Sequence, residues 1–477
     1  MEQAFYLLTG FTFLAAIVNW RLGLYLCLVL DVLRDPARKL SDSQTVWMTV
    51  AAASVWGGVF LGVLRREAGE LRSLFGRYPK MRASIFYLIA AMVPAALLAC
   101  VLYPSGYLLA IVGGVSYLAP LLGIGIGFVL PREDRCIYRL LAFYSVFNAV
   151  MLSGTLLEFA GFEWRVLGGV RTLAGEQMDW IRVWNGMKVQ LIAGFYRSPD
   201  IAALHAAHVI VFSAMLALSP RSRFRSGWVG VAGWAGFCLL LAGRRKMMAI
   251  PLIFMAVFLL LCWLRGGQSR VQLRGFVTVA LLSFVGVVLV FREVETSGEY
   301  ITYASTLLTQ GAERAYEIVA GSVITTVRQT GIQGTGLGSV TQGSHYTGAR
   351  IVADAWQEDG ISRLFRELGL IGVILIAFAA RSLLQTARTA VQLVPADDSI
   401  GTLQMGLLAI VAANAASFVA SHQQYSGDPG SALVVTMLFG MVMGLPRVSA
   451  RRQHEITVQP VAQSIAVWPQ SRTVAVT

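Results

Sequence analysis

Three adjacent cations, Arg244, Arg245 and Lys246, follow Gly243 on a sharp turn between two apolar blocks. Arg197 stands just before another apolar block, and Glu358 and Asp359 stand just before a third. Arginine's planar fork matches phosphate oxygens, and neighbouring arginines suit a diphosphate. A carboxylate beside such a cluster has the chemistry of a general base toward a hydroxyl. Charges at membrane depth cost roughly 2.5–3.5 kcal/mol each on insertion scales. Three together therefore need either an anionic partner or an escape to lipid headgroups by snorkelling.

Other side chains widen the choice. His345 is a second candidate base, with an idle place on a surface loop as the alternative. Asp359 can serve as a base, or as the cap of the helix that follows it, where acids favour the positive end of the dipole. Trp356, Tyr346 and Arg363 are the candidates for contact with sugar rings. Residues 334–338, Gly-Thr-Gly-Leu-Gly, form a glycine-rich turn. It lacks the lysine and preceding strand of a phosphate-binding loop, so a plain backbone turn is the simpler reading. His205 and His208 have the spacing of a metal pair but no evident third ligand. The five cysteines lie in or beside apolar blocks and make neither a disulfide framework nor a metal pattern. No metal and no cofactor is expected.

The elements that must position these groups are membrane helices. Of 477 residues, 56% are hydrophobic and 14% are charged, where soluble domains have about 25% charged residues. That excludes a disordered chain and weighs against a soluble enzyme. Apolar blocks approach or exceed the ~20 residues that span a bilayer. They fall at about 5–32 (broken near 19–21), 46–64, 84–103, 107–130, 137–158, 201–219, 227–242, 247–264, 274–291, 364–386, 402–420 and 431–446. The fold class is all-α: a polytopic membrane helix bundle of about 12 transmembrane helices, with a large outer loop carrying amphipathic helices.

Charge orients the bundle. Residues 65–82, 221–225 and 265–274, and the start of the tail, are rich in arginine and lysine. Basic loops collect in the cytoplasm. Alternation then places residues 161–200 and 292–363 outside and both termini in the cytoplasm. If block 5–32 were two spans, the N-terminus would lie outside and the count would be thirteen. The net charge of +13 is explained by these loops, so no nucleic-acid partner is expected. The chain divides into N-terminal spans (1–160), an outer loop (161–200), central spans (201–291), the large outer loop (292–363), C-terminal spans (364–446) and a polar tail (447–477), expected to be disordered. Within the large loop, 300–310 and 313–329 have helical apolar spacing.

Four segments in order carry a resemblance. They are Gly194-Phe195-Tyr196-Arg197-Ser198-Pro199-Asp200, then Leu241-Ala242-Gly243-Arg244-Arg245-Lys246, then the glycine turn, then Arg366-Glu367-Leu368-Gly369-Leu370-Ile371-Gly372. Their order and loop positions resemble the O-antigen ligase/polymerase superfamily, Wzy-like glycosyltransferases of the GT-C type in the bacterial inner membrane. The resemblance covers residues 194–372. It implies metal-independent transfer of glycan from an undecaprenyl-diphosphate-linked oligosaccharide at the periplasmic face. Arg197, Arg244 and Arg245, with Lys246 beside them, would contact the donor diphosphate. Ligases of the family carry a histidine nine positions before the acid that Glu367 matches, and this chain has Glu358 there. That departure favours a polysaccharide polymerase. A ligase acting on lipid A-core and a lipid-linked-glycan transporter are the alternatives. A chain-length regulator is an implied partner, besides the lipid bilayer.

Overall fold

Long apolar runs with helix-compatible glycine spacing fold here as a bundle of helices. The computed structural model describes residues 2–41, 46–170, 180–184, 187–219, 222–266, 300, 313, 316–341, 344–347, 358–395 and 398–465. In chain order the main helices are α1 (Glu2–Val18), α2 (Trp20–Leu40), α3 (Val46–Arg77), α4 (Pro79–Leu102), α5 (Gly106–Val129), α6 (Asp134–Met151) and α7 (Ser153–Phe159). They continue with α8 (Pro199–Leu218), α9 (Arg225–Ala242), α10 (Arg245–Arg265), α11 (Ser322–Thr330), α12 (Gly360–Gln392), α13 (Ser399–Ala420), α14 (Gln423–Ser426) and α15 (Pro429–Ile465). Among the described residues, ten helices are long and apolar enough to cross a membrane. The span expected over 274–291 lies outside the described residues.

The first apolar block is two helices. Asn19 ends α1 and caps α2, its side chain accepting from the Leu22 N–H at 3.3 Å. The chain folds back sharply enough that a Cβ on Gly23 would lie 2.4 Å from the Ala16 Cα. At the far end of the hairpin, Ser41 hydrogen-bonds the Glu2 carboxylate. α1 runs beside α3 in the same direction, with Phe13 against Gly58 and Ala16 against Gly62. Helix α1 therefore starts at the end of the bundle where α2 finishes. α15 starts at that same end and runs away from it, reaching Glu70 through Arg447. The expectation of both termini on one side fails here, because it treated residues 5–32 as one broken span.

Close helix contact is achieved with small residues. On α5, a Cβ at Gly123 or Gly127 would meet the main chain of α15 at 2.4 Å (Leu433 O) and 1.9 Å (Met437 O). In return, Gly440 and Gly444 of α15 meet the carbonyls of Ile124 and Phe128 on α5. Each helix thus offers a glycine pair four residues apart to the other. Arg132 and Arg265 lie at the end away from α8's start. There Arg132 pairs with Glu67 at 2.5 Å, and Arg265 donates to Val394 O at 2.7 Å.

At the opposite end, residues 161–198 contain a β-hairpin that the helical reading missed. β1 (Ile181–Trp184) pairs antiparallel with β2 (Met187–Gln190). The amphipathic helix expected over 313–329 is present as α11, preceded by a π-helical turn at Glu317–Gly321. The one expected over 300–310 falls almost wholly on residues outside those described. α15 stays helical to Ile465, so residues 447–465 are not the disordered tail expected. Val448 and Ser449 of α15, 7% and 1% exposed, keep it packed on the bundle past residue 446.

Gly127→Ala is expected to push α5 and α15 apart and destabilise the protein by about 1–3 kcal/mol, the usual cost of overpacking. Thermal unfolding in detergent checks this. An unchanged midpoint would show that the two helices can separate freely.

Candidate functional site

The site is built at one end of the bundle, from the C-terminal end of α2, the N-terminal ends of α8 and α10 and the turns that precede α12 and α15. α2 places Asp31, Arg34, Asp35, Arg38 and Lys39 on its last turns, at the three- and four-residue spacing of one helix face. Arg34 is 1% exposed. Its guanidinium reaches Asp31 at 3.0 Å, Asp35 at 3.7 Å and Asp428 at 2.5 Å. Asp428 ends the loop before α15 and also accepts from Ser431 at 2.5 Å. Burial works against the charged form of Asp428. Arg34, Arg197 and the Ser431 hydroxyl outweigh it and hold the carboxyl well below the usual range.

That buried clamp positions Arg197. Its backbone N–H donates to Asp35 at 3.0 Å, and its guanidinium donates to Gly427 O at 2.9 Å. The segment before it is held just as firmly. Glu158 accepts from the N–H groups of Gly168, Ala193 and Gly194 at 3.1, 3.2 and 2.6 Å. Lys39 donates to Gly194 O at 2.7 Å. Gly194 has φ +61°, and a Cβ there would strike the Thr155 N at 2.4 Å, so this turn requires glycine. Tyr196 is fully buried, stacked on His205, with its hydroxyl on Asn148 at 3.0 Å.

Arg244 and Lys246 reach the same place from the other side. Gly243, at φ +63°, ends α9, and Arg244 caps α10. Arg244 pairs with Asp200 at 2.8 Å and lies over the Trp180 ring at 5.5 Å. Lys246 pairs with Asp200 at 3.2 Å and Glu358 at 3.7 Å, and donates to Ser421 at 2.7 Å. Together these groups line an open cleft with about 290 Å³ of space for solvent-sized groups. Arg38, Arg182, Arg197, Arg244 and Lys246 line it against two acids, Asp200 and Glu358. Gln423 and Gln424 complete the rim. A cleft with three more cations than acids, at the boundary of an apolar bundle, is suited to a multiply charged anion.

Of the residues singled out from sequence, Arg197, Arg244, Lys246 and Glu358 come together in this cleft. Arg245 is not among its lining residues. Asp359 caps α12, accepting from the Ser362 N–H at 2.7 Å and from the Ser322 hydroxyl. It is 2% exposed and is not among the residues that line the cleft. Arg363 faces away. It sits over Tyr117 at 5.2 Å and reaches Glu367 at 3.6 Å and Thr341 at 3.1 Å. It is not among the residues that line the cleft. His345 and Tyr346 lie on a short 3-10 turn, Ser344–Thr347, that packs against α5. Trp356 lies outside the described residues.

The residues just after the glycine turn hold a carboxylate of the protein itself. Glu367, fully buried, accepts from the Val340 N–H at 3.1 Å, the Thr341 hydroxyl at 2.9 Å and the Tyr117 hydroxyl at 2.8 Å. The turn fits into a break in α12 at Gly369, where Thr335 N–H donates to Arg366 O at 2.6 Å and Leu370 N–H to Ile332 O at 2.9 Å. His205 and His208 are likewise engaged. Tyr144 bonds their Nδ1 atoms at 2.7 and 3.2 Å, and His208 Nε2 meets Asn414 at 2.8 Å. Tyr425 also donates to Asn414, at 2.9 Å. If both histidines are neutral, this chain fixes their tautomers. His208 donates from Nε2 to the Asn414 oxygen and so accepts from Tyr144, which in turn accepts from His205 Nδ1–H.

Sequence reasoning missed Arg34, Asp35, Asp200 and Asp428. Asp428→Asn is expected to destabilise the protein at pH 7 by about 3–5 kcal/mol, because it breaks a buried ion pair. The folded carboxyl titrates below its unfolded value of about 3.9. Its stabilisation is therefore complete above that value and lost as pH falls below it. Thermal unfolding of both proteins should differ equally at pH 5 and pH 8. A difference that vanished between those values would contradict the depressed carboxyl.

No family model matches the chain, and no curated protein matches it.

Proposed function

We propose that this protein is a membrane glycosyltransferase of the polysaccharide-polymerase type, acting on a polyprenyl-diphosphate-linked oligosaccharide outside the cytoplasm. The observation that carries this reading is the meeting of Arg197, Arg244 and Lys246 in one cleft, with Glu358 on its wall. A diphosphate supplies the multiple negative charge that such a cleft accommodates, and its lipid tail explains a site at the boundary of membrane helices. The bias of basic loops toward the cytoplasm, read from residues 65–82, 221–225 and 265–274 of the sequence, supports this sidedness. The order of the segments around Arg197, Arg244 and Glu367, similar to that in Wzy-like enzymes, supports the same reading.

The chemistry is a substitution at the anomeric carbon. An acceptor hydroxyl attacks that carbon, and its bond to the diphosphate oxygen breaks. The released diphosphate carries the bonding electron pair, and the cations of the cleft stabilise it as leaving group. Glu358, 47% exposed at the side chain and beside Lys246, takes the hydroxyl proton. Its place nine residues before Glu367, where ligases carry histidine, supports polymerase over ligase.

Replacing Arg197 or Arg244 by alanine should lower polymer formation ~10²-fold or more, as for other donors to a developing oxyanion, in protein that still inserts. Glu358→Gln should lower turnover ~10²-fold or more while donor binding is retained. Assay of the purified enzyme with a lipid-diphosphate oligosaccharide checks both. Wild-type yield from either arginine variant would remove the donor seat, and a Glu358→Gln defect confined to binding would remove the base.

A further inference from the structure

Asp200 occupies the centre of the cleft in a way that the transfer reaction does not require. Its two carboxylate oxygens take one cation each: Oδ2 lies 2.8 Å from Arg244 Nη2, and Oδ1 lies 3.2 Å from Lys246 Nζ. Two oxygens of a phosphate would take the same pair of cations in the same manner. Asp200 stands in the first turn of α8, three residues after Arg197. It thus follows one cation closely in the chain and neutralises two others. Its side chain is 13% exposed, and Arg244 beside it is 7% exposed. This pairing is therefore shielded from the screening that weakens surface ion pairs.

An internal carboxylate on these cations sets a threshold for any incoming anion. A singly charged phosphodiester, the group carried by anionic phospholipids, brings the same charge that Asp200 already supplies. Exchanging one for the other gains no net charge interaction. A diphosphate brings at least one charge more, and can engage the remaining cations, Arg197 among them, as well. At a membrane boundary the competing phosphodiesters are the bilayer itself, present in large excess. We propose that Asp200 is a resident counterion that sets an affinity threshold, which keeps the singly charged phosphodiester headgroups of the surrounding lipid out of the cleft while a diphosphate still enters. Occupancy is thus set by a built-in competitor rather than by an added contact. The inference rests on the proposed donor site and adds what keeps bulk lipid out of it.

The test uses the purified full-length protein in neutral detergent, with geranylgeranyl diphosphate and phosphatidylglycerol as probes. Wild type should bind the diphosphate in clear preference. Asp200→Asn should tighten both probes by roughly tenfold, the factor of a single modest ion pair, and so admit phosphatidylglycerol at concentrations where wild type leaves it out. Asp200→Glu, which keeps the charge, should keep the wild-type affinities. Unchanged phosphatidylglycerol affinity in Asp200→Asn would overturn the counterion role. Equal affinity of the wild type for both probes would overturn it without any variant. Failure of wild type to bind the diphosphate at all would instead overturn the donor site, so the two failures are told apart.

Discussion

One buried guanidinium holds the candidate site together. Arg34 is taken out of solvent at the end of α2 and faces three carboxylates, from its own helix and from the turn before α15. Removing one member of such a cluster leaves an uncompensated charge in a low-dielectric place. The cluster therefore ties α2 to the start of α15, and Asp35 passes that fixed geometry to the backbone of Arg197. A cation held by its main chain and by Gly427 O has little freedom. That preorganisation is what an electrostatic site needs, since donors already in place cost no reorganisation when charge develops.

The same end of the bundle is shaped by turns that only small residues allow. Gly194 and Gly243 adopt positive φ on the two stretches of chain that lead into the cleft. At each of them the chain leaves a helix or loop and delivers a cation within three residues. The β-hairpin over 181–190 brings Trp180 and Arg182 to the rim. The hairpin and the turns before α8, α10 and α12 thus line the cleft. On the far side of α12, the glycine turn and Glu367 form a separate closed unit. It anchors the first two turns of α12, at whose mouth Glu358 stands.

Much of this was legible in the sequence, and the rest was hidden for identifiable reasons. Arg197, Arg244, Lys246 and Glu358 stand at the edges of apolar blocks, where unpaired charge is costly, so their positions alone marked them. The α2 face was obscured because residues 5–32 read as one hydrophobic block ending where its charged turns begin. The periodic recurrence of charge at 31, 34, 35 and 38 was the available signal. Asp428 sits in a Ser-Gly-Asp-Pro-Gly run that reads as an ordinary turn. Its partner Arg34 is 394 positions away, and local pattern cannot reveal such a pairing. Asp359 and Arg363 stand close to Glu358 in the chain, but a cap on the Ser362 N–H and an ion pair with Glu367 take them out of the cleft. The helical class followed from composition; the hairpin of α1 and α2 did not, since a turn of one residue at Asn19 leaves almost no polar gap.

The most direct measurement is photo-crosslinking of the protein, in its membrane, with a polyprenyl diphosphate that carries a photoreactive group next to the phosphates. The account predicts labelling of peptides that contain Arg197–Asp200 and Arg244–Lys246, suppressed by unlabelled diphosphate lipid. Labelling confined to the opposite end, around Glu70 and Arg447, would contradict it.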